Sequence, residues 1–457
     1  MHTAMNGTIY SRKKQLQPFS TPLPEAYTSI VGEEAISRLL ELAGPLRGLK
    51  FLSINASAQG GGVAELLYSA MPFLNALGIE AEWKVIPPEQ EFFECTKSLH
   101  NILQGNKVPF SRDMKQCYVS YMDDFVEDSF IDDDPELVLV HDPQPLGLAA
   151  RFKKQGQKWL WRCHIDIEDI ALESAKNLWD FMTERVEYYD ASIFSAAHYI
   201  VSLWHLPNFV IPPFIDPLSE KNRVLAQSEI DTVLHRYGID PGIPIMMQIG
   251  RFDPWKGIER SIAVFHEVCK EKKCQLVLAG GQAVDDPEGQ RVFAEIMKKA
   301  GDDEDIHVLN LDLADRLGNW REVNALQRAA SIVMQPSIRE GFGLTVTEAL
   351  WKGKPVIAGN AGAIPLQIRD GSTGYFYHTA HEAAQLVIHL LDNPDKAREV
   401  GERGREYVRE HFLLPVRMTD WLRVMDMVVN GHVTRDVFSQ CNISFHPWFK
   451  LAKLQKT

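Results

Sequence analysis

Short apolar runs alternate with amphipathic stretches along most of the chain. Leu49 to Ser57 predicts a buried strand that breaks at Gly60, Gly61 and Gly62. Val63, Leu66, Leu67, Ala70, Met71, Leu74 and Leu77 then recur at the spacing of one helical face. Glu80 to Ile86, Leu137 to Val140, Trp159 to Cys163, Ala191 to Phe194 and Phe209 to Ile211 continue the series of strands. Such alternation predicts a parallel sheet covered on both faces, because every crossover helix must bury its stripe.

Ile211-Pro-Pro-Phe-Ile-Asp-Pro217 interrupts this pattern, since three prolines fix φ and remove backbone donors. A second cycle follows: a strand over Ile243 to Ile249, a helix over Gly257 to Glu271, and strands at Leu276 to Ala279, Ile306 to Leu309, Ser331 to Met334 and Pro355 to Ala358. From Leu414 the chain is helical at first and shows little strand character. The expected organisation is a first unit over 1–216, a second over 217–415, and a helical segment over 416–457 that packs back on the first unit. Domain closure would hinge near Pro212 to Pro217.

Composition changes the picture in three ways. A chain of 457 residues with 45% hydrophobic and 24% charged positions is globular in type and long enough for two or three domains. Lys+Arg 48 against Asp+Glu 61 gives −13, which argues against a general nucleic-acid binder but leaves room for a local cation pair holding a small anion. No apolar run reaches the roughly 18 residues of a membrane span, and no apolar segment follows Arg12, Lys13 and Lys14 as a secretory signal would require. The expectation is therefore a cytoplasmic protein that engages neither membrane nor nucleic acid.

The cysteines Cys95, Cys117, Cys163, Cys269, Cys274 and Cys441 lack zinc or redox spacing and are expected as reduced thiols. The acidic runs at 123–136 and 302–305 match no metal loop and are expected to be solvated. No metal site is assigned.

In doubly wound folds ligands bind beyond the carboxyl ends of the strands. Gln59 to Glu65 occupies such a place, although its glycines also suit a purely structural turn. His141-Asp142 and Arg162-Cys163-His164-Ile165-Asp166 follow neighbouring strands, and together they point to one cleft. Arg251 and Lys256 lie between a strand and a helix, where phosphates bind. Arg339 to Glu348 (REGFGLTVTE) turns sharply into a helix. Thr345-x-x-Glu348 has the form of a capping box, which leaves Glu340, Gly341 and Gly343 unexplained.

Glu340 and Glu348 with Arg251 and Lys256, and the segments GGGVAE, HDPQPL, WRCHID, PPFIDPLSEKN, RFDPWKG, DDPEG and SIREGFGLTVTEALWKGKPV, resemble the retaining family-four glycosyltransferases. Within that family they are most similar to the trehalose glycosyltransferring synthases, with the trehalose phosphorylases as near relatives. The resemblance implies an α/β GT-B fold, two Rossmann-like doubly wound parallel-sheet domains facing a central cleft. It implies reversible glucosyl transfer from a nucleoside diphosphate glucose to glucose, without cofactor or metal.

By the same resemblance, Arg251 and Lys256 neutralise the diphosphate, Glu340 lies beside the donor sugar, and Glu348 binds the ribose. Gly61, Gly62 and the Gly341, Phe342, Gly343, Leu344, Thr345 backbone line the donor. His164 stands close to the reacting sugar; His141, Asp142, Arg162 and Asp166 are expected on the acceptor side. A homodimer is the family's plausible assembly. The competing readings are a phosphorylase using phosphate and glucose 1-phosphate, a sugar-nucleotide epimerase, and a non-catalytic nucleotide-sugar binder.

Overall fold

The computed structural model describes residues 22–59, 61–131, 133–167, 175–201, 204–281, 288–431 and 442–444. Gly60, Asp132, Cys441 and most of the DDPEG segment lie outside the described residues. Strands are numbered along the chain. In the first lobe β1 is Lys50–Asn55, β2 Glu80–Val85, β3 Leu137–His141, β4 Lys158–Cys163, β5 Ala191–Phe194 and β6 Asn208–Val210. In the second, β7 is Ile245–Ile249, β8 Gln275–Gly280, β9 Ile306–Asn310, β10 Ile332–Gln335, β11 Val356–Gly359 and β12 Tyr375–Tyr377. A further strand, β13, is Asn442–Ser444.

Every pairing between these strands is parallel. The first sheet runs β13-β6-β5-β4-β3-β1-β2 and the second β12-β11-β10-β7-β8-β9. Each therefore reverses strand order beside its first strand, the place where α/β sheets open a ligand crevice. Nearly continuous burial along β3, β5, β7, β8 and β10 fits sheets covered on both faces.

The lobes are joined twice. The proline-rich linker meets the returning chain through Ile215 N–H to Phe412 O and Leu414 N–H to Ile215 O, both 2.9 Å. The two crossings thus brace each other. Beyond them the helix Leu414–Val429 packs on the helix Glu33–Ala43, placing Leu414, Met418, Trp421 and Leu422 in the first lobe's core with Leu39, Phe51 and Leu67. Strand β13, where sequence suggested little strand character, adds to the sheet edge beside β6. Ile443 pairs in register with Phe209.

Among the described residues no helix is long and apolar enough to cross a membrane. Cys269, exposed, and Cys274, buried in the second lobe's core, stand 3.9 Å apart as free thiols.

Candidate active site

The interlobe cleft encloses about 370 Å³ and is lined from both sheets by residues just past the strand ends. From the second lobe, β7 leads through Gly250 and Arg251 into the short turn Pro254–Lys256. Gly257 follows at φ 58°, where a Cβ would collide with the Pro336 carbonyl, so the turn needs glycine. Gln248 donates to the Lys256 carbonyl at 3.0 Å, fixing the turn to its strand. Lys256 Nζ then lies 2.6 Å from Glu340 Oε2.

Glu340 is held through both its side chain and its backbone. Its Oε2 also accepts from Gln335 and from Ser337, each at 3.2 Å. Its backbone N–H donates to Asp166 Oδ2 at 3.1 Å, and its carbonyl accepts from Tyr199 at 2.9 Å. Asp166 and Tyr199 belong to the first lobe, so the Glu340 loop is clamped across the cleft. Gly341 sits where a Cβ would overlap the His164 carbonyl oxygen, and Gly343 adopts φ 87° before the helix Leu344–Trp351. These two glycines thus serve lobe contact and helix entry. With Gly343 at the N-cap, no side chain caps the first turn, where Leu344 and Thr345 line the cleft.

From the first lobe, His141 and His164 stack with centroids 5.2 Å apart. Ser53 Oγ, His141 Nε2, His141 Nδ1 and His164 Nε2 form a chain with two contacts of 2.9 Å. Burial, reinforced by the Arg162 charge, pushes both imidazoles well below their ordinary range, so both are neutral near pH 7. Asp142 takes the uncommon φ of 63° and accepts the His164 backbone N–H at 2.7 Å. Burial raises its carboxyl to about 7, against the opposing pull of that N–H and of Arg162.

Residues 53–201 match the family described as "Trehalose synthase, N-terminal domain", and residues 230–407 match "Glycosyl transferases group 1". The chain is 44% identical to the trehalose synthase of Pyrococcus horikoshii over 408 residues, 88% of this chain and 95% of that one. It belongs to the trehalose synthase family of glycosyltransferases. A trehalose phosphorylase of Grifola frondosa is 27% identical over 90% of this chain, which spans 61% of that larger protein. The structure of a UDP-forming trehalose-phosphate synthase from Burkholderia xenovorans, in complex with glucose-6-phosphate, superposes with TM-score 0.65 at 13% identity. That match covers 82% of this chain and 100% of that one, and shows the GT-B fold.

For a trehalose synthase family member the expected residues fall into three groups. Gly61, Gly62, His141, Asp142, His164, Asp166, Arg251, Lys256, Glu340, Gly341, Phe342, Gly343, Leu344 and Thr345 all line the cleft. Glu348 instead lies behind it, in a small cavity shared with Glu65, Lys221 and Asn222. Lys221 Nζ is 2.8 Å from Glu65 Oε2 and 2.9 Å from Glu348 Oε1, while Glu348 Oε2 is buried without a hydrogen-bond partner among the described residues. Arg162 is the exception. It projects to the opposite face of β4 from Trp161 and Cys163, donates to the Ile211 carbonyl at 3.0 Å, and lies over Trp421 at 5.0 Å. Strand parity, overlooked at the strand end, makes it a brace for the C-terminal helix and not an acceptor contact.

The expected capping box of Thr345 and Glu348 does not form. Gly343 is the N-cap, Thr345 donates to Gln335 at 3.0 Å, and Glu348 is engaged by Lys221.

Sequence reading passed over several cleft residues. Phe93, Thr96, Lys97, His100 and Gln104 line it from the helix Gln90–Leu103 and its C-cap. Their spacing is itself a helical stripe, a signal masked by its polarity. Tyr68 of the first lobe packs edge-on against Trp83 at 4.9 Å, and Arg316 of the second covers its ring at 3.5 Å.

Proposed function

We propose that this glycosyltransferase moves a glucosyl unit from a nucleoside diphosphate glucose to glucose, with retention, forming trehalose in a reversible reaction. The observation that carries this reading is the 2.6 Å contact of Lys256 with Glu340, beside Arg251 and the open first turn at Leu344. Cations and helix amides stand where a departing diphosphate gains negative charge, and a carboxylate stands where a sugar gains positive charge. The bond from the anomeric carbon to the phosphate oxygen breaks and one to the acceptor's anomeric hydroxyl forms. The hydroxyl proton passes to the departing phosphate. Glu348, although it lies behind the cleft, would take the ribose hydroxyls through Oε2, which has no hydrogen-bond partner among the described residues.

Arg251 and Lys256 supply the positive charge, so the reaction would run without a metal, and chelator would leave the rate unchanged. A cytoplasmic setting, with nucleotide sugars at hand, suits this chemistry. UDP-, ADP- and GDP-glucose are each incubated with glucose and the products identified by NMR. Trehalose from at least one donor is expected; none from any, with folded protein, would reject the reading.

The phosphorylase relative favours a second reading, in which the same cations hold a single phosphate. Glucose 1-phosphate formed from trehalose and phosphate, without nucleotide, would select it.

A further inference from the structure

The residues expected to bind the acceptor are largely committed elsewhere. Arg162 faces away from the cleft, and Asp142 Oδ1 takes the His164 amide. Asp166 uses one oxygen for the Glu340 amide and the other for Gln104. His141 is enclosed between Ser53 and His164. Of these groups, Asp142 Oδ2 is left for an acceptor sugar among the described residues, together with Nδ1 of His164, and a further polar group in the first lobe would complete the contacts.

The helix Gln90–Leu103 presents its polar stripe to the cleft, where Lys97 meets Asp253, the partner of Arg251. Most of that stripe is also engaged. Thr96 donates to its own helix at the Phe92 carbonyl, 2.9 Å away. Lys97 pairs with Asp253 at 3.5 Å and approaches Glu288 at 4.0 Å. Gln104 donates to Asp166. His100 differs: it lines the cleft half-buried, and among the described residues no group hydrogen-bonds its ring. Burial, then the charges of Lys97 and Arg251, push its pKa down to about 3, which leaves one ring nitrogen a donor and the other an acceptor near pH 7. That pairing of roles matches a sugar hydroxyl, which both donates and accepts.

Position supplies the second argument, which rests on the proposed retaining transfer. Without a covalent intermediate, the acceptor oxygen must approach on the face from which phosphate departs, next to Arg251 and Lys256. His100 follows Lys97 by three residues on the same helix; Lys97 reaches Asp253 at 3.5 Å and Asp253 lies 3.7 Å from Arg251, so His100 faces these charges with no hydrogen bond to its ring among the described residues.

We propose that His100 is an acceptor-binding residue that hydrogen-bonds a hydroxyl of an uncharged hexose beside the departing phosphate. The pairing of Lys97 with Asp253 and Glu288 fits an uncharged acceptor better than a sugar phosphate.

The test uses the full chain with the donor that supports wild-type transfer, and the variants His100→Leu and His100→Gln. His100→Leu should raise the glucose KM about tenfold, the loss of one good hydrogen bond. Binding of the matching nucleoside diphosphate, by calorimetry, should stay within about twofold. His100→Gln, which keeps a donor and an acceptor, should recover part of the glucose KM and covers the case in which the leucine variant fails to fold. An unchanged glucose KM, or an equal loss of nucleotide affinity, overturns the proposal. If the wild type transfers to glucose from no donor, the functional reading fails, and His100 is judged by saturation-transfer NMR of glucose on nucleotide-loaded protein. Signal lost in His100→Leu then supports the assignment, and equal signal overturns it.

Discussion

Asp166 of the first lobe accepts the backbone N–H of Glu340 of the second at 3.1 Å, so the loop carrying the sugar-side carboxylate is registered by the opposite lobe. Burial raises the Asp166 carboxyl to about 6, with the Gln104 hydrogen bond opposing and the nearby Glu340 charge adding. A carboxyl raised above its unfolded value near 4 favours the folded state most at low pH. That contribution falls away as pH rises through the folded value near 6. The group should therefore cost at most about 3 kcal/mol between pH 4 and 7. Asp166→Asn should flatten the fall of melting temperature across that window. Melting curves of wild type and variant that stay parallel from pH 4.5 to 7.5 would show that Asp166 does not carry this titration.

Gly341→Ala tests the lobe contact by volume alone. A Cβ there overlaps the His164 carbonyl, so the lobes or the Glu340 loop must move apart. The expected result is a drop in kcat/KM of about tenfold or more, since small misplacements of reacting groups are expensive. Gly44→Ala is the control, because its Cβ would meet nothing within 4 Å. Its kinetics should match wild type.

Lys256→Ala removes the cation nearest Glu340 and the developing leaving charge. Transition-state stabilisation of this kind is worth roughly 10²–10³-fold in kcat. Glu340 keeps Gln335 and Ser337 as partners, so circular dichroism should remain that of the wild type. Steady-state kinetics indistinguishable from wild type would remove Lys256 from the chemistry.

The strand-helix alternation was legible because buried parallel strands are short apolar runs, and both sheets follow it. Strand β12, Tyr375–Tyr377, and strand β13, Asn442–Ser444, escaped because three residues carry too little periodicity. The cleft cations were legible from their place after β7. Arg162 was misassigned because nearness to a strand end does not say which face a side chain takes, and His100 was passed over because a polar helical stripe looks like a solvated one. The interlobe contacts of Asp166, Tyr199 and Lys221 join residues far apart in the chain, and no local pattern announces them.

Lys221 is the sharpest such case. It has its side chain 10% exposed, between Glu65 of the first lobe and Glu348, which is 2% exposed. Burial alone would lower its pKa, but the Glu348 and Glu65 charges outweigh it and raise it. Glu65 itself is raised by burial, with Lys221 opposing and Glu348 adding. Lys221→Met would leave two carboxylates at a mostly enclosed site without their shared cation, a loss of about 3–5 kcal/mol. Glu348→Gln in the same chain should return part of that stability, because one of the stranded charges is gone. A double-mutant cycle followed by thermal melting measures this coupling. Additive losses would mean that Lys221 and Glu348 share a distance but no energy.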